Sequence, residues 1–310
     1  MDTLEGLLLM SCLVFMVSLF LGVGIAQAES KNVMTVKDVI DAIIKHSVGD
    51  QELSVNDRLI TGTYDMEVTG IVTTFMATVD VIQKAIDLGA NLIVTHEPTF
   101  WTGPDKTDWL EGDPLYVSKK KLIEDNNIAI WRYHDYMHAA KPDGIYAGLL
   151  KEIGWENNLV DKDNPWIYKI EETTLADLAQ FFKEKLSMSV VQIIGNPEME
   201  VSKVGILVGG GSLGLGVEEM PMQVMRDYDL DVMVCGEIYE WTLPAYVNDA
   251  FMLGMKKGII VLGHERTEEW GMKHMVDWLK PLVNDIPVTF VSAEEPFIYL
   301  TDEGIQAKSR

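Results

Sequence analysis

Apolar residues recur along the chain in two alternating rhythms. Val36, Val39, Ile40, Ile43 and Ile44 fall at helical spacing behind Thr35, whose hydroxyl suits an N-cap, so a helix is predicted to begin there. Short β-branched or apolar runs follow at 69–73, 91–95, 128–132, 190–194, 204–208, 231–235, 258–262 and 288–291. Between them, stretches such as 79–88, 175–186 and 270–282 carry apolar residues three and four apart, the spacing of amphipathic helices. Apolar strands alternating with such helices predict an α/β fold whose strands are mostly buried.

The two halves of the chain echo one another. Residues 91–101 match residues 231–241 in type through the strand, with identities at Val94/Val234, Glu97/Glu237 and Trp101/Trp241. Further on, a strand ending in His134-x-x-x-His138 answers one ending in His264-x-x-x-Glu268. Two similar α/β domains with functional residues at equivalent strand ends are the simplest reading. The divide falls between Gly154 and Thr174, giving a first domain over 29–160 and a second over 161–310.

The opening segment reads differently. Residues 7–26 are apolar and uncharged, and they lead into Ala26-Gln27-Ala28 before the polar Glu29-Ser30-Lys31. That is the small-x-small pattern of a cleaved export signal, so 1–28 is expected to be a signal peptide and the mature chain to start near Glu29, in the periplasm or outside the cell. Asp2 and Glu5 stand where a basic start is usual, which keeps an uncleaved membrane anchor as the alternative. Cleavage removes Cys12 and leaves Cys235 alone, so no disulfide can form within the mature chain.

Composition narrows the partners. The 310 residues carry 25 Lys+Arg against 48 Asp+Glu, a net charge of −23. With no run of basic residues, this chain would repel a nucleic-acid backbone, so no nucleic-acid partner is expected.

The candidate chemistry lies at the strand ends. Of six histidines, His96, His134, His138 and His264 fall directly after predicted strands or within a turn of one, where ligands sit in open α/β sheets. Together with Glu97 and Glu268 they make a donor set suited to Zn, Fe or Mn. His264 and Glu268 stand four apart at the start of a predicted helix and share a face, with Gly263 permitting the turn before them. His96 and Glu97 are neighbours on a strand end, where alternate side chains point apart, an arrangement that would serve two ions better than one. Glu237 is the candidate proton acceptor, and His134 could orient a ligand through a hydrogen bond. Phe100 and Trp101 follow the first candidate ligands and would either wall a pocket or join the core.

These motifs, in this order, resemble the Nif-three-like proteins, also described as dinuclear-metal-centre hexameric proteins and as homologues of type 2 GTP cyclohydrolase I. The resemblance covers most of 33–300: the opening helix at 36–44, residues 91–100, the stretch from His134 to Gly144, Val232-Met-Val-Cys-Gly-Glu237, and Gly263-His264-x-x-x-Glu268. It implies two similar α/β domains with two metal ions in the cleft between them and assembly into a homohexamer; one or two divalent ions per chain and a small-molecule substrate are expected here. The implied metal ligands are His96, Glu97, His138, His264 and Glu268. Two depart from the family pattern: Glu97 replaces the second of two successive histidines, and His138 replaces the aspartate of His-x-x-x-Asp. A carboxylate bridges two cations and a neutral imidazole cannot, so the substitutions exchange one possible bridge for another.

Three functions are compatible with this pattern. The leading expectation is an exported metal-dependent hydrolase, and the second is a non-catalytic metal-handling oligomer. The third comes from Gly210-x-Ser212-x-Gly214, which with Asp249 and His264 has the order of an α/β-hydrolase triad. The same run read as Gly209-x-Gly211-x-x-Gly214, with Asp229 or Asp231 further on, fits a dinucleotide-binding turn, although such a unit would be expected to open the chain.

Overall fold

The computed structural model describes residues 33–306, apart from 52, 54, 55, 162, 163, 302 and 303. The expected signal segment, 1–28, lies outside these residues. Among the described residues, no helix is long and apolar enough to cross a membrane.

The chain enters through α1 (Val36–Val48), fixed by a capping box between Thr35 and Asp38. The first sheet then forms from β1 (Leu59–Thr61), β2 (Ile71–Thr74), β3 (Leu92–Thr95) and β4 (Ala129–Arg132), with α2 (Val79–Asp87) and α3 (Pro114–Asp125) as crossovers. Strands β2, β3 and β4 are parallel neighbours, and every residue in them is buried, as their unbroken apolar runs require. After β4 come the short α4 (Asp135–Ala139) and α5 (Gly144–Ile153).

The second sheet repeats the plan with antiparallel additions. A pair, β5 (Leu159–Asp161) and β6 (Asn164–Thr174), leads through α6 (Leu175–Lys185) and β7 (Gln192–Ile194) to β8 (Glu200–Leu207), α7 (Met220–Asp227), β9 (Val232–Cys235), α8 (Leu243–Met252), β10 (Gly258–Val261) and α9 (His264–Leu279). Strands β8, β9 and β10 are again parallel neighbours. The chain then returns to the first sheet, where β11 (Val288–Phe290) pairs in parallel with β2.

Side-chain parity sorts each strand between two layers. From the first sheet, Ile71, Leu92, Val94 and Trp131 face one shared core with Val204, Ile206, Val232 and Val234 from the second. Helices α1, α5 and α9 fill that core with Val39, Leu149, Met272 and Met275. The alternate residues Val72, Ile93 and Ile130 face away, against Val81 and Ile82 of α2 and Ile123 of α3. On the second sheet Leu207, Met233 and Ile259 do the same against Met225 of α7 and Val247 of α8.

Helix α9 is held from three sides. Thr73 on β2 donates to the Met272 carbonyl at 2.8 Å. Gly148 of α5 meets Gly271 so closely that a Cβ on Gly148 would lie 2.5 Å from the Gly271 Cα. Gly209, at the end of β8, donates its amide to Thr267 Oγ1 at 2.9 Å. The first turn of α9, which carries His264 and Glu268, is therefore positioned by both sheets.

Candidate metal centre

The carboxyl ends of β3, β4, β9 and β10 converge, and each is followed by polar side chains. Strand β3 ends at Thr95, after which the amides of His96 and Glu97 both donate to the Phe75 carbonyl, at 3.1 and 2.8 Å. This turn breaks the pleat, so the two side chains do not point apart as strand alternation predicts. Ligand atoms of His96, Glu97 and Glu268 instead lie within 4.8 Å of one another. His134, the N-cap of α4, and His138 sit one helical turn apart, and Asp57 accepts from the amides of His134, Asp135 and Tyr136 at 2.8, 2.8 and 2.9 Å. The imidazole nitrogens of His96, His134 and His138 form a second group within the same 4.8 Å limit.

The histidine orientations follow one rule. His96 Nδ1 faces the Tyr133 carbonyl at 3.1 Å, His134 Nδ1 faces Asp135 Oδ1 at 2.7 Å, and His138 Nδ1 faces Asp143 Oδ2 at 2.9 Å. An acceptor at Nδ1 fixes the proton there and leaves a lone pair at Nε2. His96 Nε2 is fully buried with no hydrogen-bond partner and stands 3.3 Å from Glu268 Oε2. His134 Nε2 lies 3.7 Å from Glu97 Oε1. His264 continues the pattern from the other half: Nδ1 is 3.1 Å from Glu237 Oε1, while Nε2 lies 2.9 Å from Glu268 Oε2 and 3.3 Å from Glu97 Oε1.

Burial makes these groups depend on one another. Burial alone would lower the pKa of His264, but hydrogen bonds with Glu237, Glu268 and Glu97 override it and hold the imidazole well above its ordinary value. Burial pushes Glu268 upward, and contacts with His264 and His96 outweigh it and keep the carboxyl well below the usual carboxylate range. Glu97 is also lowered, against its own desolvation, by the hydrogen bond from His264. His134 moves the other way, lowered by burial and by the neighbouring His96 and His138, so it stays neutral and able to donate a lone pair. The Nε2 lone pairs of His96 and His134, facing Glu268 and Glu97, are the donor set of a borderline divalent cation, and the residues present fit one.

All five residues expected as metal ligands, with Glu237, thus occur at one place. His134 joins them, placed as a ligand candidate rather than as an orienting residue. The internal echo carried that signal, because it aligned His134 with His264. Sequence reasoning also missed what Gly209 does here. Its φ of 48° and lack of a side chain let the backbone pass against Glu268 and His264, where any Cβ would collide.

The glycine-rich run serves this packing. Residues Gly209–Leu213 form a short 3₁₀ segment rather than the start of a long helix. The Ser212 hydroxyl is buried and donates to the carbonyls of Gly209 and Glu237, so its proton is committed away from any histidine. Neither the nucleophile nor the dinucleotide turn has the geometry its motif needs.

The sequence pattern that defines the Duf34/NIF3 family (NGG1p interacting factor 3) matches residues 32–296. The chain belongs to this family. Among NIF3 relatives, a "GTP cyclohydrolase 1 type 2 homolog" of Clostridium acetobutylicum is 25% identical over 223 residues, covering 69% of this chain and 77% of that protein. One of the same name from Staphylococcus epidermidis is 28% identical over 167 residues, which are 53% of this chain and 44% of the relative. The match therefore spans less than half of that staphylococcal protein. A crystal structure of a Bacillus cereus protein related to NIF3 superposes with a TM-score of 0.68 at 16% identity, over 86% of this chain and 99% of that one. The fold is thus the NIF3 fold, two similar α/β domains.

Proposed function

We infer that this NIF3 protein is a metal-dependent hydrolase whose cleft holds one or two divalent ions, of the Zn, Fe or Mn class. The observation that carries the reading is the convergence of the Nε2 atoms of His96, His134 and His264 on Glu97 and Glu268, with His138 grouped beside His96 and His134 and Nδ1 of each imidazole turned to an oxygen. His96, His134 and His138 would hold one ion, and Glu97, His264 and Glu268 the other, with Glu97 or Glu268 shared. Divalent ions supply Lewis acidity there and make water a stronger acid. The chain's own residues do the rest. Glu237, with 45% of its side chain exposed, can take a proton from water or product while its Oε1 keeps His264 in place. Asp143 and the Tyr133 carbonyl fix the histidine tautomers.

A non-catalytic metal-handling role differs in having a closed site. A cavity of about 910 Å³ adjoins the centre, with Glu97, Glu237 and His264 in its wall, so a small molecule can reach the groups just named. That access favours the enzyme. The deciding experiment is elemental analysis of the wild type beside His264→Ala, followed by phosphoester, nucleotide and amide substrates. Full metal content in the variant would remove the ligand assignment, and turnover absent from every substrate class would leave the metal-handling role.

Export and assembly complete the proposal. A chain cleaved after Ala28 would begin near Glu29, which N-terminal sequencing of the protein from its native compartment tests. A homohexamer in solution is expected from the family resemblance, and light scattering measures it.

A further inference from the structure

The cavity beside the centre has a chemistry of its own. Three aromatic side chains in its wall, Trp101, Tyr239 and Phe297, remain 43%, 40% and 68% exposed. Two of them are braced. Trp241 stacks behind Tyr239 with ring centroids 4.8 Å apart and planes 4° from parallel. Trp101 sits on a backbone with a φ of 62°, unusual for so large a residue, and the Lys119 ammonium lies 5.3 Å from its ring. Exposed rings backed by a second ring or a cation offer stacking surface for a planar ligand.

The charges around these rings are one-sided. Five carboxylates, from Glu97, Glu237, Glu265, Glu294 and Glu295, line the cavity, against Arg266 and His264. No lysine lines it among the described residues. Arg266 is 4% exposed and is paired with Glu265 and Glu269 at its base. Its Nη2 has no hydrogen-bond partner and stands 3.8 Å from Glu294 Oε2. A buried guanidinium nitrogen without a partner calls for an acceptor oxygen from a ligand.

We propose that this cavity binds a planar heteroaromatic compound, neutral or cationic and free of phosphate, stacked on the aromatic wall with a ring carbonyl oxygen toward Arg266. Ring nitrogen and amino donors then meet the carboxylates, and a positive ring gains from both the carboxylates and the aromatic faces. A nucleoside triphosphate is disfavoured, because its charges would meet five carboxylates with no lysine to receive them. Calling this ligand the substrate rests on the hydrolase reading above, whereas its binding does not.

The test is calorimetric titration of the full chain, as purified and after chelator treatment, with guanosine, N7-methylguanosine and GTP. Both nucleosides should bind with or without chelation, the methylated cation at least tenfold more tightly and GTP at least tenfold more weakly than guanosine in the chelated protein. Trp101→Ala and Phe297→Ala should each weaken nucleoside binding at least tenfold while metal content stays unchanged, and Trp101→Phe should restore most of it. The double substitution Glu294→Gln, Glu295→Gln should shrink the preference for the methylated ring. The proposal fails if neither nucleoside binds, if GTP equals or exceeds guanosine after chelation, or if both alanine variants bind as the wild type does. Failure of the metal reading shows separately, as full metal content in His264→Ala with nucleoside binding intact.

Discussion

The backbone of Gly209 passes so close to the Glu268 side chain that a Cβ there would overlap the carboxylate and lie 2.6 Å from His264 Nε2. Gly209 also donates to Thr267 Oγ1 and accepts from the Glu237 amide, both at 2.9 Å, so one glycine ties β8 to α9 and to the end of β9. Gly209→Ala should therefore displace Glu268 and His264 together. Metal affinity is expected to fall by about 10- to 100-fold, the usual effect of disturbing a ligand's support. Far-ultraviolet circular dichroism should be unchanged. An alanine variant that binds metal like the wild type would mean the cluster is not where metal sits.

Asp143 has two duties that one substitution separates. Its Oδ1 accepts from the amides of Ile145 and Tyr146 and caps α5, while its Oδ2 orients His138. Asp143→Asn keeps an oxygen for the cap, since asparagine caps helices as well as aspartate does. The same change places an amide NH₂ against His138 Nδ1, which favours the wrong tautomer. Thermal stability should hold, and metal affinity, measured by competition with a chromophoric chelator, should drop about tenfold or more. Equal losses of both would reduce Asp143 to a helix cap.

How much of this could be read from residues alone is clearest at the strand ends. The unbroken apolar runs located β2, β3, β4, β8, β9 and β10 to within a few residues, because strands buried on both faces admit little else. The echo of Glu97 with Glu237 and of His134 with His264 placed the centre's two halves at matching ends of the parallel strands in the two sheets. Other features were not legible. Strand β6 mixes Lys169, Glu171 and Glu172 with apolar residues and shows no buried run, and β11 joins the first sheet although its sequence lies in the second half. The close passage of Gly209 depends on contacts across 59 positions, from Gly209 to Glu268, which no local pattern encodes.

Gly148 and Gly271 make a stability prediction independent of the metal. A Cβ at Gly148 would meet Gly271 Cα and N and the Trp270 carbonyl, all at 2.5 Å, and these are backbone atoms that cannot rotate aside. Gly148→Ala should cost about 1–3 kcal/mol through overpacking, although alanine is the better helix former by about 1 kcal/mol. Urea denaturation with an unchanged slope is the measurement. A gain in stability would show that α5 and α9 have room between them.

Lys119 gives the pH dependence its sign. Burial pushes its pKa down to about 8 from 10.5, only partly opposed by Asp105, and its ammonium donates to the Thr99 carbonyl at 2.6 Å. Between about 8 and 10.5 the unfolded chain holds a proton that the folded chain has released, so folding becomes more favourable as the pH rises through this window. The gain is on the order of 1 kcal/mol per pH unit inside it. Below pH 8 both states carry the proton, and the buried charge weighs against the fold by a constant amount. Lys119→Met removes that titration while keeping the volume, and it leaves the Thr99 carbonyl without its donor, at a cost of about 1–3 kcal/mol that does not vary with pH. The wild-type stability measured in urea at pH 7.5, 8.5 and 9.5 should therefore climb relative to the variant's. Parallel curves would mean that Lys119 keeps its ordinary pKa and that water reaches the space between Thr99 and Trp101.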